Sequence, residues 1–537
     1  MPFFGVFSTR AAATRRLNCL RPHLAHKPSF RTMLDINLLR EDRGGNPELV
    51  RESQRKRGGK VELVDQVIEL DNDWKKARFN ADAINKKLNA INKEIGQLMK
   101  QKKKEEADAF LAQKTQLQAE KAELDEIAKQ KEIVLFKTLG LIGNLVHDSV
   151  IVSNDEKNNA IVRSWWPEGR DEATERERRA TLVGKDGKGV PGLLSHHEVL
   201  EKIEGYDSPR GSNVAGHRGY FLTGPGVDFN LALIQYGLDF LAERGYTKLW
   251  TPFFMKKEIM AKTAQLEEFD EALYKVVGEL NPDGTEADGA KYLIATSEQP
   301  ISALHMGEWF AEPEKDLPKK YAGVSTCFRK EAGAHGRDTW GIFRVHQFEK
   351  VEQFVLTDPE KSWEMHEEMC TAAEEFYKSL GLPYRTVSIV SGALNNAAAK
   401  KYDVEAWFPF QADYKELVSC SNCTDYQSRN LEIRVGPKKL NDTVKKYAHA
   451  LNCTLTATER TICGILENYQ TEDGVVVPPP LRNYMGGKSF IPFTKGVKGA
   501  RAASAKPTPA ADASKPAKPA AAPKSADASE GESKSTH

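Results

Sequence analysis

Apolar residues recur along one stretch of the chain at spacings of four and three, without a slip, from residue 63 to residue 98. The positions are occupied by Leu63, Val67, Leu70, Trp74, Ala77, Ala81, Ile84, Leu88, Ile91, Ile95 and Leu98. Such an unbroken seam of a and d positions buries its apolar face only against another helix. The pattern therefore predicts a long helix that packs lengthwise on a partner helix.

A polar stretch, 100–108, separates this helix from a second apolar series. The second series consists of Phe110, Leu117, Leu124, Ile127 and Val134. Two helical runs joined by a short polar turn predict an antiparallel hairpin, and about 40 residues per arm would reach roughly 60 Å. A coiled-coil dimerisation arm and a binding arm fit this pattern equally well. Lys102, Lys103 and Lys104 at the tip slightly favour a polyanionic partner.

The remainder of the chain has a different pattern. From about residue 158 to residue 493, short β-like runs alternate with amphipathic helices and turn signals, which predicts one large α+β domain. Within it, 227–244 is predicted to be a helix with Gly245 in the C′ position, followed by an apolar strand that ends at Pro252.

Composition narrows the class of protein. At 537 residues the chain exceeds the usual single-domain size, so two or more folded units are expected. The formal net charge of +1 provides no global field typical of a nucleic-acid binder, so any basic surface must be local. A mean hydropathy of −0.54 and the lack of a long uncharged apolar run argue against a membrane span.

The seven cysteines form no disulfide framework for a chain of this length, which fits a reducing compartment. Cys420 and Cys423 make one Cys-x-x-Cys pair, but no second such pair and no paired histidines accompany it. Because a structural zinc normally needs four ligands, no zinc is expected. The two cysteines are interpreted as packing residues.

Both termini differ in composition from the rest of the chain. Residues 1–32 carry several Arg and Lys but no Asp or Glu, which is typical of a mitochondrial transit peptide. An over-extended reading frame is an equally good interpretation, because Met33 begins a plausible second start. After Lys495 the chain is rich in Ala, Pro, Lys and Ser, so 496–537 is predicted to be a disordered tail.

Two predicted strands joined by a Gly- and His-bearing loop, 332–341, carry the first candidate chemistry. The first strand ends in Arg-x-Glu, and the second is predicted to run over 342–356. Alternation along a strand directs residues two apart to one face. The residues so presented are Arg329, Glu331, Arg344, Phe348 and Glu352. This set suits a nucleotide carrying a cationic amine, and ordinary cross-strand ion pairs are the alternative interpretation.

Three further segments carry polar side chains that suit a ligand site. Thr296 and Glu298 are two residues apart and are predicted to share a strand face. Glu416 and Ser419 offer oxygens suited to a hard cation such as Mg²⁺.

The third segment, Asn452-Cys453-Thr454, precedes a helix predicted to begin near Thr456. That helix carries Glu459-Arg460, and such a pair on a helix is usually a surface ion pair. Each segment alone is weak evidence for a ligand site. Their occurrence together, in this order along the chain, is much less easily explained by chance.

In this order the segments resemble the class II aminoacyl-tRNA synthetases, and specifically the seryl-tRNA synthetases of the eukaryotic cytosolic type. The resemblance covers 33–493. The three motifs of the class correspond to 231–252, 328–354 and 455–469. The third motif has Thr456 and Thr458 where the general class pattern has glycines, in agreement with the serine subclass.

The resemblance implies an α+β fold, in which helices flank a class II antiparallel sheet and the N-terminal hairpin is a coiled-coil arm. It divides the chain into a 1–32 extension, a tRNA-binding domain over 33–147, a catalytic domain over 148–495 and the tail. It implies a homodimer formed through the first motif and an arm that grips the long variable arm of tRNA-Ser. It also implies a cytoplasmic location, with an additional mitochondrial form if the extension is translated and targets the protein.

Site residues follow from the same resemblance. Arg329 would hold the serine carboxylate and then the α-phosphate, Glu331 would accept from the adenine amino group, and Phe348 would stack on adenine. Arg344 and Arg460 would neutralise the outer phosphates. The implied catalytic residues are Arg329, Glu331 and Arg460. The implied ATP-binding residues are Arg329, Lys330, Glu331, Arg344, Val345, Phe348, Glu416, Leu417, Val418, Ser419 and Arg460.

For the metal and the amino acid, Glu416 and Ser419 would coordinate Mg²⁺. Thr296 and Glu298 would receive the serine ammonium. The implied serine-binding residues are Thr296, Glu298, Arg329, Glu352, Asn452 and Thr454, with Glu352 and Thr454 nearest the hydroxyl.

The implied reaction activates L-serine with ATP to give seryl-adenylate and pyrophosphate, and then transfers the seryl group to the 3′ end of tRNA. Two alternatives are carried forward. An inactive synthetase-like paralogue that binds RNA or protein usually has broken motifs, whereas every matched residue is present here. A ligase for another carrier would be expected to lack a full-length arm.

Overall fold

The structure is a computed structural model that describes residues 33–182, 193–263, 272–278, 281–282, 289–331, 339–437 and 445–494. The predictions for 1–32 and 496–537 lie outside these residues, as does most of the loop 332–341. The described α-helices are α1 Pro47–Lys56, α2 Glu62–Lys100, α3 Lys104–Leu139, α4 Glu172–Leu182, α5 His196–Lys202, α6 Ser208–Ala215, α7 Pro225–Ala242, α8 Lys257–Met260, α9 Glu298–Leu304, α10 Pro313–Asp316, α11 Ser362–Ser379, α12 Tyr426–Leu431 and α13 Thr458–Tyr469.

Most of the described strands belong to the second half of the chain. They are β1 Ala160–Trp165, β2 Tyr206–Asp207, β3 Phe221–Leu222, β4 Thr247–Trp250, β5 Phe254–Lys256, β6 Lys275–Val276, β7 Lys291–Leu293, β8 Trp309–Phe310, β9 Lys319–Phe328, β10 Gln347–Thr357, β11 Tyr384–Ser388, β12 Lys400–Phe408, β13 Asp413–Asn422, β14 Arg434–Val435, β15 His449–Ala457, β16 Gly474–Val476 and β17 Phe490–Pro492.

Helices α2 and α3 form the predicted antiparallel hairpin. The seam of α2 is confirmed, because its central members are buried along the length of the helix: Ala77, Ala81, Ile84, Leu88 and Ile91. Between the helices, Lys131 of α3 bonds to Asp73 of α2 at 3.0 Å. At 39 residues, α2 extends roughly 60 Å.

The predicted apolar series on the second helix is partly wrong. Ile127 and Val134 are 41% and 49% exposed, whereas Ala128 and Leu135, one residue further on, are buried. The contact seam of α3 therefore lies one residue away from these two positions. Charged residues share this seam, since Lys121 is only one-third exposed and bonds to Asp125 at 2.7 Å.

An eight-stranded sheet forms the second part of the fold, in the order β1-β11-β12-β13-β15-β10-β9-β4. Every neighbouring pair is antiparallel except the edge pair of β4 and β9, which is parallel. The predicted α+β class and antiparallel sheet are thereby confirmed. None of the described helices is long and apolar enough to span a membrane.

Three helices form one layer against this sheet. Tyr236 of α7 stacks on Phe376 of α11 with ring centroids 5.2 Å apart. Tyr377 of α11 and Thr461 of α13 approach to 3.2 Å through their hydroxyls. Helix α7, predicted over 227–244, begins and ends two residues earlier, and Gly245 follows it with a φ of +80° that favours glycine.

The arm is anchored to the sheet domain by polar contacts at its base, most of them at least partly buried. Arg57 donates to three backbone carbonyls, those of Asn144, Asn395 and Ala398. Asn144 in turn donates to the carbonyls of Ala397 and Cys423, both at 2.9 Å. The loop that contains residues 395–398 is therefore held by the base of the arm.

Candidate active site

A cavity of about 670 Å³ lies on the sheet face opposite the three helices. Strand alternation defines this face: Lys350 and Glu352 of β10 line the cavity, whereas Gln353 bonds to the Met369 carbonyl of α11 at 3.1 Å. Strand β15 alternates in the same way: Thr454 lines the cavity, whereas the thiol of Cys453 lies against the Met369 carbonyl of α11.

The cavity opens where two neighbouring strands part. Strands β13 and β15 pair only from Cys420 to Asn422, opposite Cys453 to Leu451. Continued pairing would place Ser419 opposite Thr454, but both residues instead line the cavity. The sheet therefore forks, and the fork lies inside the site.

The structure brings most of the sequence-predicted site residues together on this wall. Those that line the cavity are Thr296, Glu298, Arg329, Glu331, Arg344, Val345, Phe348, Glu352, Glu416, Leu417, Ser419, Asn452, Thr454 and Arg460. Lys330 and Val418 do not line it. Val418 is fully buried in the hydrophobic core, and the Lys330 backbone bonds to Ala272.

The predicted strand geometry around Arg329 is wrong. Strand β9 ends at Phe328, although the Arg329 amide still bonds to the His346 carbonyl at 2.9 Å. Glu331 lies beyond the strand with a φ of +46°, so alternation does not set its direction. The Arg329 guanidinium instead lies 5.2 Å from the centre of the Phe348 ring.

Arg344 is also not on a strand, because β10 begins at Gln347 and not at residue 342. Its guanidinium pairs with Glu331 at 3.0 Å. This ion pair joins the segment that follows β9 to the segment that precedes β10. The Nε atom of Arg344 is buried without a hydrogen-bond partner among the described atoms. A buried donor of this kind is available to an acceptor oxygen of a ligand.

Arg460 occupies the first turn of α13, which begins at Thr458 and not near Thr456. It donates to the Glu416 carbonyl at 3.0 Å and to the Phe343 carbonyl at 3.3 Å. Burial lowers the pKa of Arg460 from its usual value, and the nearby cations Arg329 and Arg344 act in the same direction. Three arginines thus converge on one end of the cavity, which favours binding of a polyanion there.

The other end of the cavity contains acceptors. Glu298 was predicted on a strand, but it is the first residue of helix α9. Its Oε1 accepts from Gln427 at 2.8 Å and from Asn452 at 3.0 Å. Burial raises the pKa of Glu298, an environment that would favour a cationic ligand group beside it.

Glu352 is 1% exposed and accepts from the Thr454 hydroxyl at 3.1 Å. It also pairs with Lys350, whose side chain is 7% exposed. Sequence reasoning missed Lys350, although the spacing Phe348, Lys350, Glu352 on one strand face would have found it. It likewise missed Gln427, for which no pattern in the sequence gives a signal.

Among the described residues, no three or more His, Cys, Asp or Glu side chains form a group that could hold a metal ion, but the fork presents oxygens of the kind that a hard cation takes. Glu416 and Ser419 present oxygens to the cavity, and Asp403, opposite Ser419 on β12, has a buried Oδ1 without a partner among the described atoms. Burial raises the pKa of Asp403 to about 7. Carboxylate and hydroxyl oxygens are the ligands that Mg²⁺ prefers. Cys420 and Cys423 are fully buried free thiols.

The predicted tRNA-contacting lysines lie at the tip of the arm. Lys102, Lys103 and Lys104 are exposed at the turn between α2 and α3. Lys103 pairs with Glu106 at 3.1 Å.

Comparison with known proteins identifies first the class and then the family. Residues 274–469 match the tRNA synthetase class II core domain of the G, H, P, S and T enzymes, and residues 33–146 match the seryl-tRNA synthetase N-terminal domain. The chain thus has the core of a class II aminoacyl-tRNA synthetase.

Full-length relatives extend the match. The cytoplasmic serine–tRNA ligase of Schizosaccharomyces pombe is 61% identical over 86% of this chain and 97% of its own length. That of Saccharomyces cerevisiae is 58% identical over 86% of this chain and 96% of its own length. The chain belongs to the seryl-tRNA synthetases, which are ATP-dependent ligases.

Solved structures of seryl-tRNA synthetases are also similar to this chain. The cytoplasmic serine–tRNA ligase of Naegleria fowleri in complex with AMP has a TM-score of 0.69 and 50% identity, covering 86% of this chain and 99% of that one. The seryl-tRNA synthetase of Pyrococcus horikoshii complexed with ATP has a TM-score of 0.71 and 39% identity, with the same coverage.

Proposed function

We propose that the protein activates L-serine with ATP to give seryl-adenylate and pyrophosphate, and then transfers serine to the 3′ end of tRNA-Ser. One observation carries this proposal: a single cavity joins a cluster of three arginines to a buried pocket of carboxylates and hydroxyls. The first suits a triphosphate, and the second suits an amino acid with a polar side chain.

At the polyanion end, Arg329, Arg344 and Arg460 would contact the phosphates of ATP. Arginine suits this role because its planar fork binds phosphate and carboxylate oxygens in pairs. Phe348 would stack on adenine, and the Arg329 guanidinium already lies 5.2 Å from that ring. Glu331 would accept from the adenine amino group.

At the acceptor end, Glu298 and Thr296 would receive the serine ammonium, and Glu352 and Thr454 would bond to the hydroxyl. Glu352 and Thr454 are buried, so binding of alanine in place of serine would leave them without the ligand hydroxyl, and this can reject alanine by ~10⁴-fold or more. Threonine keeps the hydroxyl and must be excluded by shape, since one extra methyl group contributes only ~1–3 kcal/mol.

Mg²⁺ would be held by Glu416 and Ser419 at the fork. When bound, it would neutralise charge on the phosphates of ATP. The residues of the chain supply positioning and charge stabilisation and need form no covalent bond to the substrate.

The arm would bind tRNA-Ser, with the tip lysines contributing phosphate contacts. A homodimer through the first class II motif is supported by exposed apolar residues in that segment. Leu231 is 59% exposed and Trp250 is 72% exposed. An apolar surface of this kind favours an interface.

We further propose that this chain acts in the cytoplasm, the location named for its fungal relatives. A second, mitochondrial form would require translation of 1–32. Mass-spectrometric identification of the mature N-terminus in each cell fraction tests this. Absence of the protein from the mitochondrial fraction would exclude the second form.

Serine-dependent ATP–pyrophosphate exchange tests the proposed activity. Glu352→Ala and Arg460→Ala should each abolish exchange, and far-ultraviolet circular dichroism should show that both variants remain folded. Glu352→Ala should also lower the unfolding temperature, because it leaves the buried Lys350 ammonium without its partner. Lys315→Ala, at a side chain 78% exposed, is the matched control and should retain full exchange. An unmodified protein that binds tRNA-Ser but shows no exchange would instead support the inactive paralogue.

A further inference from the structure

Two glutamates that the family resemblance does not assign meet between the cavity and its supporting helices. Glu349 lies on β10, and Glu459 lies in the first turn of α13, directly before Arg460. Glu459 is 1% exposed. Among the described residues, neither glutamate forms an ion pair with a cationic side chain, so Glu459 is not the surface ion pair that its sequence context favours.

The contacts of Glu349 indicate an ionised carboxylate. Its Oε1 accepts from the Thr326 hydroxyl at 3.3 Å, and its Oε2 accepts from the Asn230 amide at 3.2 Å. Both oxygens are thus used as acceptors, which suits the charged form.

The contacts of Glu459 indicate an acid with a proton. Its Oε2 accepts from the Glu349 backbone amide at 3.1 Å, and the Thr458 hydroxyl lies 3.0 Å away. Its Oε1 lies 3.0 Å from the Tyr220 hydroxyl, which also lies 2.9 Å from the Gln347 carbonyl. One hydroxyl proton cannot serve two acceptors, so a proton on Glu459 would complete the network.

Electrostatics lead to the same assignment. Burial and the adjacent Glu349 carboxylate, which hydrogen-bonds to it, raise the pKa of Glu459 well above its usual value. A carboxyl group as deeply buried as that of Glu459 is costly to ionise when a second carboxylate lies beside it.

The position of the pair connects it to the phosphate end of the site. Glu459 lines the main cavity, whereas Glu349 lines a second cavity of about 510 Å³ next to α7. Through Asn230 and Tyr220 the pair ties α7 and β3 to the strand that carries Phe348 and to the helix turn that carries Arg460.

We propose that Glu459 is a protonated carboxylic acid paired with ionised Glu349, and that it positions Arg460 against the outer phosphates of ATP. The role of Arg460 rests on the proposed function. Glu459 itself touches no substrate in this scheme and acts by fixing the first turn of α13 to β10.

A matched pair of variants separates positioning from charge. Glu459→Gln keeps the shape: its NH2 group can donate toward the Tyr220 hydroxyl while its carbonyl oxygen still accepts from the Glu349 backbone amide. Exchange should therefore stay within about threefold of the unmodified protein. Glu459→Ala removes the contacts, and displacement of Arg460 should lower kcat/KM for ATP by about 100-fold. The KM for serine should change little, because Glu298 and Glu352 do not depend on this turn.

Infrared spectroscopy of the folded protein tests the proton directly and independently of activity. The carbonyl band of an un-ionised carboxylic acid should be present at about pH 9, above the range in which Asp403 titrates, and should be lost in Glu459→Gln. Glu467→Gln is the spectroscopic control, since Glu467 is equally buried on the same helix but pairs with His196 at 3.0 Å. That variant should remove no acid band.

Three results would overturn the inference: no acid band lost in Glu459→Gln, a Gln variant as weak as the Ala variant, or an Ala variant with normal kcat/KM for ATP. Absence of exchange in the unmodified protein would instead count against the proposed function. The infrared test of the proton on Glu459 does not depend on activity, so its result would remain valid in that case.

Discussion

In the arm, buried contacts are made between two helices that are neighbours in sequence, whereas the cavity gathers side chains from segments more than 150 residues apart. Asn452 and Glu298, for example, are bonded at 3.0 Å across 154 positions. The arm is specified by one repeated local pattern. The cavity exists only once the whole sheet has formed.

The two regions also differ in how they use charge. The arm pair Arg78–Asp82 has both side chains 53% exposed, and such pairs contribute little because water screens them. In the cavity, the side chains of Lys350 and Glu352 are 7% and 2% exposed, so losing one partner would leave a buried charge uncompensated. Substitution of a charged residue should therefore have different consequences in the two places.

The largest effect expected from this contrast is at Arg329. Arg329→Lys keeps the charge but loses the planar fork and its contact with Phe348, so exchange should fall by about 100-fold or more. Arg78→Lys on the arm is the control and should leave exchange unchanged. Equal losses of exchange in Arg329→Lys and Arg78→Lys would contradict the expected difference between the cavity and the arm.

A smaller effect is expected from the buried seam of the arm. Leu88→Ala removes a side chain that is 6% exposed and should lower the local stability of the hairpin by about 2–3 kcal/mol. Hydrogen exchange of the arm measures this, and serine activation should be unaffected. Ile127→Ala, at an exposed position, should change stability by less than about 0.5 kcal/mol. Loss of activation in Leu88→Ala would mean that the arm and the cavity are not independent.

The sheet domain contains buried histidines, and the arm contains none. Burial lowers the pKa of His366 to about 4, below the ~6.5 of an unfolded chain. The stability it contributes is therefore complete above pH 6.5 and lost as pH falls toward 4, by about 2 kcal/mol at pH 5. Urea unfolding at pH 7.5 and pH 5 should show a smaller loss in His366→Gln than in the unmodified protein. Parallel losses would contradict the assignment.

The smallest effect is expected at the tip of the arm. Replacing Lys102, Lys103 and Lys104 by Ser should weaken tRNA binding by tenfold or less at moderate salt, and the salt slope should fall by about 2. Exchange should be untouched, and Lys315→Ser serves as the control for charge alone. If exchange and tRNA binding fell together, the RNA contact would lie elsewhere.

Local patterns explain what the sequence could predict. The α2 seam was correct because a heptad repeat needs no distant information. The α3 seam was harder to read, since Lys121 occupies part of it with its apolar stem while Ile127 and Val134 face water. In the sequence, the apolar residues Ile127 and Val134 indicated the seam more strongly than Lys121, although only Lys121 lies on it.

For the site, residue types and order were sufficient to assemble the cavity wall, but local geometry was not. Glu298 was expected on a strand and starts a helix, and Arg344 was expected on a strand and precedes it. The backbone conformation at both residues depends on where the chain leaves the sheet, and tertiary packing determines that point. Gln427, which bonds to Glu298 across 129 positions, had no local signal at all.

The fork between β13 and β15 sets a limit on engineering this protein. Each further rung of backbone pairing beyond Cys420 and Cys453 would strengthen the sheet and narrow the space where substrates must sit. Thermostabilising changes near Ser419 or Thr454 should consequently slow turnover, because rigidity and access compete along the same two strands.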